Sequence, residues 1–203
     1  MRRLRPFFTA LVLLWGCDSS EPEPGQSGAV AASSSAQARA AFEVAAAGSQ
    51  WATAKPKGDG YSLESADGAA LGKISVGTDR VKLKDSGGTT KAKVKQKDYG
   101  FKVYQDDETA VLKVKRKGAG YKLKRDDGTE LGELGTKTSG GTVSGEAVTV
   151  TSEGGRWIVN RGGVQVGAVD EAIPEKAVGF LGVTELSIEQ RVAAMIYVQE
   201  HES

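Results

Sequence analysis

Leu186-Ser187-Ile188-Glu189-Gln190-Arg191-Val192-Ala193-Ala194-Met195-Ile196-Tyr197-Val198 is the stretch on which the fold turns. Ser187 followed three residues later by Gln190 has the form of a capping box and starts a helix. From Val192 to Val198 apolar residues occupy every side of that helix, a pattern that belongs in a core or a membrane. Run to Glu200, the helix is about 21 Å long at 1.5 Å per residue, short of the roughly 30 Å hydrocarbon layer. The sequence therefore predicts a helix over 186–200 wrapped by the rest of the protein. The competing arrangement lays it across an open sheet or caps a β-solenoid, leaving Met195 and Ile196 partly accessible. The polar end Gln199-Glu200-His201-Glu202-Ser203 is expected to fray.

Working outward, the wrapping comes from a 20-residue repeat. Tyr61, Val81, Phe101 and Tyr121 fall 20 apart, followed two residues on by Leu63, Leu83, Val103 and Leu123. Turn residues come next: Asp67-Gly68, Gly87-Gly88, Asp107-Glu108 and Asp127-Gly128. Ile74, Val94, Val114 and Leu134 then repeat the spacing, and Gly60, Gly100 and Gly120 precede three of the first positions. Each unit alternates apolar with polar residues, the period of a half-buried strand, and Asp-Gly or Gly-Gly supplies the positive φ of a hairpin turn. A looser fifth hairpin spans Arg156 to Val166, and Val143 to Val150 adds a strand or a pair. The expected fold is mainly β: about ten to twelve antiparallel strands, apolar on one face. A sheet that long curls, and closure removes its edges. A closed barrel around the C-terminal helix buries both apolar surfaces at once. Tyr61, Phe101, Tyr121 and Trp157 hold equivalent positions and are expected in the core.

The chain has 203 residues, with 27 Gly, 5 Pro, one Cys and one His. Such Gly with so little Pro suits tight turns. One Cys and one His argue against a disulfide framework, a zinc site or Cys/His nucleophilic catalysis. No nucleophile elbow or phosphate loop is present, and the carboxylates at Asp106-Asp107-Glu108 and Asp126-Asp127 sit where Asp serves as a turn former. The expectation is a protein that is not an enzyme and holds no metal or cofactor.

At the N-terminus, Arg2, Arg3 and Arg5 precede the short apolar run Phe7 to Trp15, the parts of a secretory signal. Leu14, Gly16 and Cys17 resemble a bacterial lipobox, with Trp15 departing from its usual small residue. That resemblance implies cleavage after Gly16 and acylation of Cys17, enough hydrocarbon for stable membrane anchoring. Asp18 resembles an inner-membrane retention signal. Asp18 to Gln37 is too poor in bulky apolar residues to fold and reads as a tether. Ala38 to Ala47 has helix propensity but is marginal at that length. The expected organisation is a signal peptide over 1–16, a lipidated cysteine and tether over 17–49, and a barrel over 50–203.

The repeated Gly-aromatic-x-Leu, Asp-Gly, Leu-Gly hairpins (Gly60-Tyr61 to Leu71-Gly72, Gly120-Tyr121 to Leu131-Gly132), closed by an apolar C-terminal helix, resemble the tubby C-terminal-domain superfamily. That group includes tubby proteins, phospholipid scramblases and LURP-one-related proteins. The resemblance spans about Trp51 to Ser203 and implies a closed antiparallel barrel threaded by a hydrophobic helix. It also implies lipid-associated behaviour: phosphoinositide binding in tubby, membrane association in scramblases. No binding residue carries over. Asp170-Glu171-Ala172-Ile173-Pro174-Glu175 stands where scramblases have an acidic segment, and it reads here as a solvated loop.

Formal net charge is +1, and losing residues 1–16 leaves 24 basic and 26 acidic side chains. Between Val81 and Arg125, however, 14 Lys or Arg face 5 Asp or Glu. Lys91, Lys93, Lys95 and Lys97 alternate along one strand, as do Lys113, Lys115 and Lys117, with Lys82 and Lys84, and Lys122 and Lys124, in pairs. These eleven lysines are expected on one outer flank, suited to an anionic surface such as phospholipid head groups or to a polyanion, at about 1 kcal/mol per well-placed Lys. Nucleic acid is not expected of an exported chain whose flank lacks stacking aromatics. The other reading is a structural or protein-interaction module of the cell envelope, its lysines a solubilising face toward an unknown protein partner.

Overall fold

The computed structural model describes residues 39–135 and 140–202. The expected signal peptide, Cys17 and the tether as far as Gln37 lie outside the described residues. Among the described residues, no helix is long and apolar enough to cross a membrane.

The first seven strands are β1 Phe42–Ala46, β2 Ser49–Lys57, β3 Gly60–Glu64, β4 Ala70–Gly77, β5 Arg80–Asp85, β6 Thr90–Lys97 and β7 Gly100–Tyr104. They continue as β8 Ala110–Lys117, β9 Gly120–Arg125, β10 Glu130–Gly135, β11 Gly141–Val143, β12 Glu146–Glu153, β13 Arg156–Arg161 and β14 Val164–Asp170. Every strand pairs antiparallel with its sequence neighbours, and β1 closes the wall against β14. A short helix α1 (Glu175–Val178), a 3-10 turn (Gly179–Gly182) and helix α2 (Ile188–His201) complete the chain.

The 20-residue period sets the geometry of the wall. Leu71, Lys91, Val111 and Leu131 are each an extra residue where the register steps, at equivalent points of β4, β6, β8 and β10. Bulges raise local twist, and one in each repeat coils the sheet toward closure. Glycine permits the tightest approach: a Cβ on Gly60 would lie 1.9 Å from the carbonyl oxygen of Ile74, and one on Gly100 2.3 Å from that of Val114.

Inside, Tyr61, Val81, Phe101 and Tyr121 are buried, as are the Leu63 and Ile74 series. Helix α2 fills the lumen. Ser187 Oγ accepts from the Gln190 backbone N–H, and the Gln190 side chain accepts from that of Ser187. Every residue from Val192 to Val198 is 0% exposed, Met195 and Ile196 included, which rules out the solenoid. Tyr197 packs 4.7 Å from Phe101, and Phe180 sits between Phe101 and Tyr121 at 5.6 and 5.4 Å.

Several expectations are corrected. The wall has fourteen strands, not ten to twelve, and it starts at Phe42 rather than at 50. Ala-rich residues 42–46 form a strand because Phe42 and Val44 point into the core while β2 and β14 satisfy the backbone on both sides. A helix of about ten residues has no comparable support. The stretch after Asp170 is not a plain solvated loop: Ile173 is buried, and its carbonyl accepts from Trp157 Nε1 at 2.9 Å. Trp157 is half-buried rather than in the core.

Residues 199–202 are not frayed. His201 closes α2, stacked on Tyr197 at 4.5 Å with Nε2 2.8 Å from the Gly77 carbonyl oxygen. Glu200 accepts from Arg39 at 2.8 Å and from Tyr61 at 3.2 Å, while Glu202 accepts from Arg116 at 2.7 Å and Tyr121 at 2.5 Å. Burial, reinforced by these carboxylates, raises the Tyr61 and Tyr121 phenols well above their ordinary range. The tail locks one rim of the barrel to the helix it encloses.

Candidate anionic-partner interface

On a pleated wall with Val81, Val94, Val103, Val114 and Leu123 inside, the residues between them face outward. The ladder register then decides which cations become neighbours. Arg80 on β5 lies opposite Lys95 on β6, Lys95 opposite Lys102 on β7, Lys102 opposite Lys113 on β8, and Lys113 opposite Lys124 on β9. Five cations thus stand in single file across five adjacent strands. The file begins beside Gly77 and ends beside Glu130.

The remaining expected residues fall into flanking rows. Lys82 and Lys93 lie opposite each other, with Tyr104 next in line. Lys97, Gly100, Lys115 and Lys122 make the row on the other side, ending on Glu133. Lys84 faces Lys73 and Thr90, Lys91 stands on a bulge, and Lys117 faces Gly120 beside a turn. All eleven lysines thus lie on the β5–β9 wall, but as parallel diagonals rather than as one patch. Two members of the central file, Arg80 and Lys102, were not among them. Each precedes a core residue of the repeat (Val81, Val103), so strand alternation marks both as outward; direct opposition across strands is a property of register alone.

Carboxylates sort the rows. Asp107 pairs with Lys82 at 2.5 Å and Lys93 at 3.8 Å, Glu130 with Lys122 at 2.7 Å, and Glu133 with Lys117 at 2.6 Å. Lys91 pairs with Asp85 at 3.3 Å. In the central file, Asp126 serves both Lys102 at 2.9 Å and Lys113 at 3.5 Å. The Lys82 contact holds the Asp107 carboxyl below its ordinary range, and the Lys102 contact does the same for Asp126. Among the described residues, no carboxylate lies within 4.0 Å of Arg80, Lys95 or Lys124. The central file thus sets five cations against one shared carboxylate, while the rows beside it are partly paired: Lys82 and Lys93 share Asp107, and Lys122 has Glu130.

The wall is not free of aromatics, contrary to expectation. Lys93 Nζ stands 4.6 Å from the Tyr104 ring centroid and Lys115 Nζ 5.6 Å from that of Tyr99. These are cation–π contacts within the chain. Where the file starts, the surface sinks into a hollow of about 350 Å³ lined by Asp59, Ser75, Arg80, Lys82 and Lys84.

The opposite end of α2 carries a second ionic cluster. Arg161, 7% exposed, donates to both oxygens of Glu185 at 2.8 Å and to Glu146 at 2.7 Å. Burial alone would raise the Glu185 carboxyl. Hydrogen bonds from Arg161 and Ser144 outweigh it and draw the group down to about 2. With every partner supplied by the chain, the cluster is structural. Among the described residues, no group of three or more His, Cys, Asp or Glu is placed to hold a metal ion.

No family model matches this chain, and no curated protein does. Among solved structures, an Arabidopsis thaliana protein is similar over 71% of this chain and 88% of that one, at 10% identity and a TM-score of 0.22. A likeness that slight carries no argument.

Proposed function

We propose that this chain is a lipid-anchored, non-enzymatic protein of the bacterial envelope, held through Cys17, whose barrel wall binds an anionic partner electrostatically. The observation that carries the reading is the central file. Like charges directly opposite on neighbouring strands destabilise a sheet. Arg80, Lys95, Lys102, Lys113 and Lys124 make four such pairs in succession. A solubilising surface gains as much from interspersed signs, which would favour the fold instead. A cost repeated through four consecutive pairs fits a binding surface better than a coat. A closed barrel around an apolar C-terminal helix supports kinship with the tubby superfamily, which forms part of this proposal.

The test uses the full chain carrying Cys17→Ser, so that no acyl group contributes. Binding to anionic vesicles, neutral vesicles and a soluble polyanion is followed across a salt series. Capture by an anionic probe that fades as salt rises, and is abolished by joint Lys93→Gln, Lys95→Gln, Lys113→Gln and Lys115→Gln, supports the proposal. Absence of binding to every anionic probe at low salt would sink it and leave a structural or protein-interaction module.

A further inference from the structure

We infer that the partner is a linear polyanion, of the kind made by polysaccharides with one carboxylate on each sugar, lying lengthwise along the file Arg80–Lys95–Lys102–Lys113–Lys124. The inference rests on the electrostatic reading above and goes further, choosing between a flat anionic surface and a chain.

Three features of the wall make the choice. The first is charge. The file sets five cations against one carboxylate, Asp126, whereas Lys82 and Lys93 share Asp107 on one side and, on the other, Gly100 interrupts the row of Lys97, Lys115 and Lys122, which ends on Glu133. Positive charge is therefore densest and unbroken along one line, which favours an anionic chain laid on it. The second is spacing. Adjacent strands lie about 4.7–4.9 Å apart, so five strands put five cations over roughly 19 Å, about one for each unit of a chain charged at similar intervals. The third is curvature. Four steps among fourteen strands turn through roughly 100° of a closed wall. A flat bilayer touches such a wall near one line and meets two or three of the five cations. A flexible polymer can follow the curve and meet all five.

The hollow at the Arg80 end adds a terminus. Arg80, Lys82 and Lys84 line it against the single carboxylate of Asp59, so an acidic group can sit partly enclosed there while the chain runs on past Lys95. Tyr99 and Tyr104 already carry lysines over their rings, which leaves those faces closed to stacked nucleobases.

The experiment compares two charge-matched quadruple variants of the Cys17→Ser chain. One removes the file's lysines (Lys95→Gln, Lys102→Gln, Lys113→Gln, Lys124→Gln). The other removes flanking lysines off the file and away from the hollow (Lys91→Gln, Lys97→Gln, Lys115→Gln, Lys122→Gln). Each is titrated with polygalacturonate, with anionic vesicles and with oligothymidylate, and circular dichroism melts confirm that both are folded. The file variant should lose polygalacturonate affinity at least tenfold, and its slope of log affinity against log salt should fall by about one unit for each cation removed, as for phosphate contacts in nucleic acids. The flanking variant should lose less than about threefold, since cations off the line release fewer counterions. Equal losses in the two variants would overturn the inference while leaving general electrostatic binding intact. Tighter binding of vesicles or of oligothymidylate than of polygalacturonate would overturn the assigned chemistry. Binding of nothing anionic would remove the underlying function as well.

Discussion

Replacing Lys95 by glutamate should stabilise the barrel and at the same time weaken its hold on a polyanion. Lys95 lies opposite Arg80 on one side and Lys102 on the other, with no carboxylate within 4.0 Å among the described residues. The substitution turns both repulsive cross-strand pairs into attractive ones. At about 0.2–1 kcal/mol for each directly opposed pair, the expected gain is about 0.5–2 kcal/mol. For a chain of this size that raises Tm by about 1–8 °C. Lys and Glu have similarly poor strand propensity, so the change of sign dominates. Lys97→Glu is the control, because Lys97 lies opposite Gly100 and gains no ion pair there. Circular dichroism melts at low ionic strength and in 1 M NaCl provide the assay. Salt at that concentration shortens the screening length to about 3 Å and should erase most of the gain. A Lys95→Glu protein that melts no higher than wild type, or no higher than Lys97→Glu, would show that the opposed cations do not strain the sheet. The file would then carry no energetic cost for a binding role to explain.

Three further outcomes test the fold. Ile196→Ala empties space inside a lumen where the side chain is 0% exposed; a loss of about 2–5 kcal/mol is expected in urea unfolding, and a loss under 1 kcal/mol would mean the helix is not enclosed. Gly60→Ala drives a Cβ to 1.9 Å from the Ile74 oxygen, so a cost of about 1–3 kcal/mol should lower the urea midpoint, and an unchanged midpoint would contradict the close strand approach. Glu185→Gln removes one carboxylate from nearly buried Arg161 but leaves Glu146 in place, so about 1–3 kcal/mol should be lost at neutral pH. Because the folded Glu185 carboxyl lies near 2, below its ordinary 4.5, its contribution is complete above about pH 5 and disappears as pH falls toward 2. The gap between wild type and variant should therefore close on acidification, and a gap constant from pH 7 to pH 2.5 would exclude that linkage.

Much of the architecture was legible in order of residues alone. A core helix apolar on all sides must be enclosed, and alternation with Asp-Gly and Gly-Gly turns in a 20-residue period dictates hairpins whose inward positions are known. Ser187 and Gln190 marked the helix start for the same local reason. The opening hairpin was hidden because alanine at the inward positions, Ala52 and Ala54 in β2, gives little contrast between faces; what makes 42–46 a strand is the pairing it receives from β2 and distant β14. His201, Glu200 and Glu202 read as solvent-facing because most of what binds them is distant in sequence; Gly77, Arg39, Tyr61, Arg116 and Tyr121 arrive only when the barrel closes.

The lysine wall divides in the same way. Period-two alternation placed its cations outside, since a strand's side chains change face at every residue. Which cation opposes which depends on register, and one extra residue at Leu71, Lys91, Val111 and Leu131 shifts that register at each turn of the repeat. Sequence thus determined a barrel with a basic exterior, because periodicity and burial are local properties of the chain. Only the tertiary structure decided that five of those cations stand in one unbroken line, because opposition across strands exists only once the hydrogen-bonded ladders have formed.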